Sequence, residues 1–270
     1  MATLKEIQNC QLSILKDVAD FCDKHNINYY LAYGTLLGAV RHKGFIPWDD
    51  DVDIFMEYYD LQRFKKLFIK EMSDKYFYQD NETDHTYIHM FSKIRKLGTY
   101  MPEDDEYHEH QEVWIDIFPL FSMSNNEEND KLLVKTLCDF QLALAEYGGY
   151  SMKGNLSLKG RIIRLYNSIK FKNRIKKCKR IIITLQSNMS EKYTILGNMF
   201  WKQFDEEMCS IVFSHMIPKK WLNNKKTYSF EKYKFSSFNN SNEYLIMEYG
   251  KDYMVPIKYA HLSDYSKVTV

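Results

Sequence analysis

Cysteine is sparse in this chain and nowhere grouped. The five residues, Cys10, Cys22, Cys138, Cys178 and Cys209, are odd in number and include no C-x-x-C pair, so neither a disulfide framework nor a zinc site is expected. The sequence also lacks the basic start and apolar run of a secretory leader, and no stretch approaches eighteen uninterrupted apolar residues. These absences predict a cytoplasmic protein without a membrane span. Internal repeats and low-complexity linkers are missing too. With a formal net charge of +1, nothing in the overall balance calls for a nucleic-acid partner.

One further absence is local. No acidic residue occurs between Glu146 and Glu191, an interval that holds Lys153, Lys159, Arg161, Arg164, Lys170, Lys172, Arg174, Lys176, Lys177, Lys179 and Arg180. Ile162, Ile163, Leu165, Tyr166, Ile169 and Phe171 are interleaved among these charges. The pattern fits a core-packing helix with a solvated basic back. It fits equally a basic amphipathic helix laid against an anionic membrane surface or a phosphate-bearing glycan precursor.

Aromatic residues, by contrast, are abundant, with 21 Tyr and 17 Phe. Most belong in a core, and some can line a ligand site. Helical spacing over Thr3 to Lys24, with Thr3 as N-cap and Glu6 at the capping-box position, predicts an amphipathic helix. Ile27 to Tyr33 reads as a strand, followed by a tight Gly34-Thr35 turn and a short helix. FIPWDDDVDIFM alternates as a strand, and Tyr58 to Met72 returns to helical period. Further strands are expected at Tyr76 to Gln79, Phe91 to Arg95 and Val113 to Phe118. From Asn126 to about Met216 the pattern is mainly helical, broken near Gly148-Gly149 and Gly154. A hairpin over TYSFEKYKFSSF and a helix at Asn242 to Tyr249 complete an α+β fold.

The chemistry is concentrated in the acidic run. On a strand, Asp49, Asp51 and Asp53 share one face and lie about 7 Å apart in succession, while Asp50 points away. Carboxylates held that close raise each other's pKa unless a cation intervenes. An all-oxygen donor set suits Mg²⁺ or Mn²⁺, with remaining ligands drawn from water and substrate phosphates. Asp116, inside the apolar run VWIDIFPL, either pairs with a buried base or supplies another ligand. Gly34 and Thr35, at a strand-to-helix turn, offer backbone amides to a phosphate.

The order Gly-Thr, short helix, D-V-D resembles the nucleotidyltransferase superfamily. YGTLLGAVRHKGFIPWDDDVDIFM resembles more closely the LicD family of bacterial phosphocholine transferases, related to the fukutin-type phosphosugar transferases. KIRKLGT, WIDIFPL and MEYGKDYMVPIKYAH agree in order. The resemblance implies one LicD-type domain over residues 1–270. Its parts would be a nucleotidyltransferase-like core with a mixed β-sheet at 1–125, a helical segment at 126–216 and a C-terminal strand and helix segment at 217–270. It implies transfer of phosphocholine from CDP-choline to a sugar hydroxyl of a cell-envelope glycan, lipid-linked acceptors included, with CMP leaving. Asp51, Asp53 and Asp116 would be metal ligands, Asp116 alternatively a general base, and Asp49 a direct or water-mediated ligand. Arg41, Lys93, Arg95 and His261 would contact phosphate. The same site serves glycerol or ribitol phosphate from a CDP donor. A non-catalytic glycan- or nucleotide-binding protein is the alternative of another class, and concentrated repulsive charge argues against it.

Overall fold

The computed structural model describes residues 2–102, 110–124, 126–151, 158–186, 192–195, 212, 215–256 and 267–270. The elements run α1 (Leu4–His25), β1 (Tyr30–Leu31), α2 (Tyr33–Arg41), β2 (Asp53–Glu57), α3 (Tyr58–Met72), β3 (Tyr76–Gln79), β4 (Ser92–Lys96) and β5 (Trp114–Met123). There follow α4 (Glu127–Ser151), α5 (Leu158–Leu185), β6 (Lys192–Ile195), β7 (Ile217–Pro218), α6 (Lys219–Asn223), β8 (Lys225–Phe230), β9 (Tyr233–Phe238) and α7 (Ser241–Tyr249). The fold is mixed α+β, as its sequence pattern predicts. The chain divides into two compact units, one of Met1–Tyr78, Lys93–Leu120 and Ile217–Val270, the other of Gln79–Ser92 and Phe121–Met216.

In the first unit, α1 starts where the sequence places it. Thr3 Oγ1 accepts the Glu6 amide at 3.3 Å, and the Glu6 carboxylate accepts the Thr3 amide at 2.7 Å, which satisfies two of the donors a helix start leaves open. Five strands follow the order β1-β2-β5-β4-β3. β1 is antiparallel to β2, and β2 is parallel to β5, which makes the sheet mixed. Strands of a parallel pair covered on both faces read as continuous apolar runs. Accordingly Ile54, Phe55 and Met56 on β2 and Ile115 and Ile117 on β5 are fully buried. Phe21 of α1 meets Phe64 and Phe68 of α3 edge-on, at centroid distances of 5.5 and 5.1 Å, and closes one layer of the core.

Two local expectations shift here. The strand expected from Ile27 to Tyr33 is reduced to Tyr30–Leu31, and Tyr33 already opens α2. The strand expected over FIPWDDDVDIFM starts only at Asp53. The residues Asp49 to Val52 lie outside any regular element.

In the second unit, α4 and α5 pack against each other. Arg174 on α5 donates to Asp139 and, at 2.7 Å, to Glu146, both on α4. The break expected at Gly148-Gly149 does not occur, since α4 continues to Ser151. Gly148 is there for close approach instead. A Cβ at that position would lie 2.4 Å from Ile88 Cγ2 and 3.1 Å from the Thr86 carbonyl oxygen. The break expected at Gly154 lies outside the described residues.

Candidate active site

The acidic run is shaped by α1 rather than by strand pairing. Gln8 and Gln11 lie one turn apart on α1, and both are buried. Gln8 Nε2 donates to the carbonyl oxygen of Asp49 at 2.8 Å and to that of Ile46 at 3.4 Å, and Gln11 Nε2 donates to the carbonyl oxygen of Asp50. These side chains satisfy carbonyls that a sheet ladder would otherwise take, so the run can turn without leaving buried acceptors open. Regular strand begins where the backbone ladder resumes. The Asp116 amide donates to Val52 O at 2.8 Å, and the Ala32 amide donates to Asp53 O at 3.0 Å.

This geometry changes the expected roles within the run. Carboxylate oxygens of Asp49, Asp50 and Asp51 can be chosen that all lie within 4.8 Å of one another. Strict alternation would have sent Asp50 away from its neighbours. Asp50 is instead buried and belongs to the cluster, while Asp49 is half-buried and Asp51 exposed.

Asp49, Asp51 and Asp53 line one wall of a cavity of about 360 Å³. Tyr33, Gly34 and Leu37 bring the start of α2 to it, with Arg41 further along the helix. Ile46 and Trp48 come from the turn before the acids, and Tyr249, Asp252, Tyr253 and Val255 from the end of α7 and the turns after it. Gly34 is required by packing. A Cβ there would stand 2.9 Å from Asp49 Oδ2, so the missing side chain makes room for the carboxylate. Tyr33 adopts φ 38°, a conformation uncommon outside glycine. Edge-on contacts to Phe55 at 5.0 Å and Phe118 at 5.2 Å hold its ring.

Asp53 and Asp116 are register partners on the parallel strands β2 and β5, so the two side chains share a face. Burial holds the Asp53 carboxyl well above the ordinary carboxylate range, and the charges of Asp116, Asp51 and Asp49 push it further up. Lys93 acts in the opposite direction and only partly offsets them. Clustered hard oxygen donors of this kind can hold a hard divalent ion. Among the described residues, Asp49, Asp50 and Asp51 are the group close enough together to hold such an ion; Asp53 lines the same cavity and Asp116 does not border it.

The remaining predicted contacts are more dispersed. Thr35 is buried, and its Oγ1 accepts the Asp53 amide at 2.8 Å, which ties the start of α2 to the start of β2. Arg41 lines the cavity, and its Nη1 donates to Tyr253 O at 2.7 Å and reaches Val255 O at 3.5 Å. Lys93 and Arg95 alternate onto one face of β4 and are both buried, with Lys93 Nζ 3.8 Å and the Arg95 guanidinium 5.1 Å from the Trp114 ring centroid. Arg95 also donates to Glu112 O at 2.9 Å. Neither borders the cavity. His261 lies outside the described residues.

Sequence reasoning did not single out Tyr33, Trp48, Tyr249, Asp252 or Tyr253 for the site. Their signals were the surplus of aromatics, for Tyr33 and Trp48 the motif YGTLLGAVRHKGFIPWDDDVDIFM, and for the others the segment MEYGKDY. Burial raises the Tyr33 and Tyr249 hydroxyls above the usual phenol range, and the charges of Glu248 and Asp53 add to the effect. Both phenols therefore stay protonated and remain hydrogen-bond donors.

The mixed sheet carries Asp53 and Asp116 on two adjacent parallel strands, beside the glycine-containing start of α2. Residues 26–142 match the model of the family described as LicD/FKTN/FKRP, nucleotidyltransferase domain. The chain is 46% identical over 74 residues to the lipopolysaccharide cholinephosphotransferase LicD of Haemophilus influenzae, covering 27% of this chain and 28% of that protein. An uncharacterized protein of Rickettsia typhi is 46% identical over 54 residues, 20% of this chain and 18% of its own. One of Rickettsia prowazekii is 56% identical over 41 residues, 15% of each chain. The matched stretches thus span less than a third of the length of these curated relatives. Among the described residues, no helix is long and apolar enough to cross a membrane.

Proposed function

We propose that the protein transfers phosphocholine from CDP-choline to a sugar hydroxyl of a cell-envelope glycan, such as a teichoic acid, lipopolysaccharide or capsule precursor, releasing CMP. The observation that carries this reading is a single cavity that joins clustered aspartates, a glycine-opened helix start and several aromatic rings, within and beside a LicD-type domain. The name of the Haemophilus relative supports the cargo and the class of acceptor.

In the reaction, the sugar oxygen forms a bond to the phosphorus that bears choline. The bond from that phosphorus to the CMP oxygen breaks, and the hydroxyl proton passes to a base. A divalent cation, Mg²⁺ or Mn²⁺, held by Asp51, Asp53 and Asp116 with Asp49 beside them, would offset charge on the diphosphate and align attacking and leaving oxygens. Backbone amides at the start of α2, where Tyr33 and Gly34 line the cavity, would favour a phosphate, as helix N-termini do. Arg41 sets the turn that carries Tyr253 and leaves a cation at the cavity wall. Asp116, in register with Asp53, either completes the ligand set or accepts the hydroxyl proton. Trp48, Tyr249 and Tyr253, with Asp252 among them, give a quaternary ammonium an aromatic and anionic surround.

Competition among donors tests the cargo. CDP-choline should displace a fluorescent cytidine nucleotide at lower concentration than CDP-glycerol or CDP-ribitol, by about 10-fold, because a desolvated cation–π contact contributes about 1–2 kcal/mol. Preference for CDP-glycerol or CDP-ribitol would reassign the cargo to an uncharged phospho-alcohol.

A further inference from the structure

The helix α5 presents apolar residues on two opposite faces. On one face Phe171, Cys178 and Ile182 are buried, on the side where α5 packs against α4. On the other, Leu165, Ile169, Lys172, Lys176, Arg180 and Ile183 succeed one another at steps of three or four residues and form one stripe. Tyr166 stands beside it. Leu165 is 63% exposed, Tyr166 68%, Ile169 53% and Ile183 54%. Four large apolar side chains at that exposure are not the back of a core-packing helix, whose outer face is polar.

Arg174 pairs with Asp139 and Glu146, and Lys179, at the edge of the stripe, pairs with Glu82 at 2.6 Å. The stripe carries only basic charge, and among the described residues no acidic side chain forms an ion pair with Lys172, Lys176 or Arg180. Lys172 Nζ stands 5.5 Å from the Tyr147 ring centroid.

We infer that the outer face of α5 is a docking surface for an anionic lipid bilayer. Leu165, Tyr166, Ile169 and Ile183 enter the headgroup boundary, while Lys172, Lys176 and Arg180 stay among the lipid phosphates. A second copy of the chain is a poor occupant, because the same basic stripe would face itself. Nucleic acid would satisfy the cations and leave the apolar residues without a role. The inference stands on surface chemistry alone and is independent of the reaction proposed above.

The test is co-sedimentation of the full chain with vesicles of phosphatidylglycerol and phosphatidylcholine, and with vesicles of phosphatidylcholine alone. The chain should bind the mixed vesicles at low salt and release at high salt. Each basic residue at an anionic surface contributes about 1 kcal/mol, so K172Q/K176Q/R180Q should weaken binding by about 100-fold. L165S/I169S should weaken it by about 10-fold or more, with unchanged circular dichroism for both variants, since every altered side chain is exposed. Lys179 is left intact because its ion pair with Glu82 is internal to the fold. Equal binding of either variant and the parent chain would overturn the inference. So would tighter binding to a single-stranded RNA that is indifferent to L165S/I169S, or a concentration-dependent dimer that L165S/I169S dissolves.

Discussion

Asp53→Asn is expected to lower turnover on the order of 10³-fold and, in EDTA, to raise the melting temperature. The two effects share one cause. Burial and the charges of Asp116, Asp51 and Asp49 hold the Asp53 carboxyl well above its ordinary range, so its ionised form opposes the metal-free fold. Linkage then has a definite sign. The folded state binds the Asp53 proton more tightly than the unfolded state does. Stability from this group is therefore present at low pH and is lost as pH rises from the ordinary carboxylate range through the raised folded value. Asparagine keeps the shape and removes the charge, which should flatten that part of the pH profile. Melting curves across pH in EDTA, with and without added Mg²⁺, are the measurement. Added Mg²⁺ should raise the melting temperature of the parent chain and have less effect on the variant. A folded D53N chain with near-parent turnover, or one destabilised in EDTA, would remove Asp53 from the centre of the site.

Gly38→Ala should cost about 1–3 kcal/mol of stability and lower turnover about 100-fold, although residue 38 does not border the cavity. A Cβ at that position would lie 2.5 Å from the Gly44 carbonyl oxygen and 3.3 Å from the Ile46 amide nitrogen. Both are backbone atoms and cannot swing aside as a side chain could. The turn they belong to is held from elsewhere as well. The Glu231 amide donates to Lys43 O at 2.7 Å, and the Glu231 carboxylate accepts the Phe45 amide at 3.4 Å. The strain would pass along Ile46 to the carbonyls gripped by Gln8 and Gln11, and so to the carboxylates. Gly34→Ala makes a useful contrast. Its Cβ meets only the Asp49 carboxylate, so turnover should fall with little change in melting temperature. Parent-like turnover in folded G38A would show that the turn has slack and does not set the carboxylate positions.

The elements that sequence periodicity named are those whose causes are local. The capping box of Thr3 and Glu6, the α3 period from Tyr58 to Met72 and the hairpin Lys225–Phe230 with Tyr233–Phe238 all occur as their patterns indicate. Asp116 was legible as anomalous because it is polar within an apolar run, and its register with Asp53 gives that anomaly a place. The bend at Asp49 to Val52 was not legible. Its cause is a pair of buried glutamines some forty positions earlier, and no window around the acids contains them. The far wall of the cavity was hidden for the same reason. Tyr249, Asp252 and Tyr253 reach it through tertiary packing, with Arg41 binding the carbonyl of Tyr253. Alternation correctly grouped Asp49, Asp51 and Asp53 on the cavity wall, but it misjudged Asp50, because its premise of regular strand fails there.

Product identity under metal control separates the proposed transfer from other nucleotide chemistry. The purified chain would be supplied with CDP-choline and a sugar-bearing envelope glycan, and the nucleotide products followed by chromatography. CMP should form in step with phosphocholine on the glycan, and both should be abolished by EDTA and restored by Mg²⁺ or Mn²⁺. Pyrophosphate released from a nucleoside triphosphate, or CMP formation that EDTA leaves untouched, would contradict the proposed transfer.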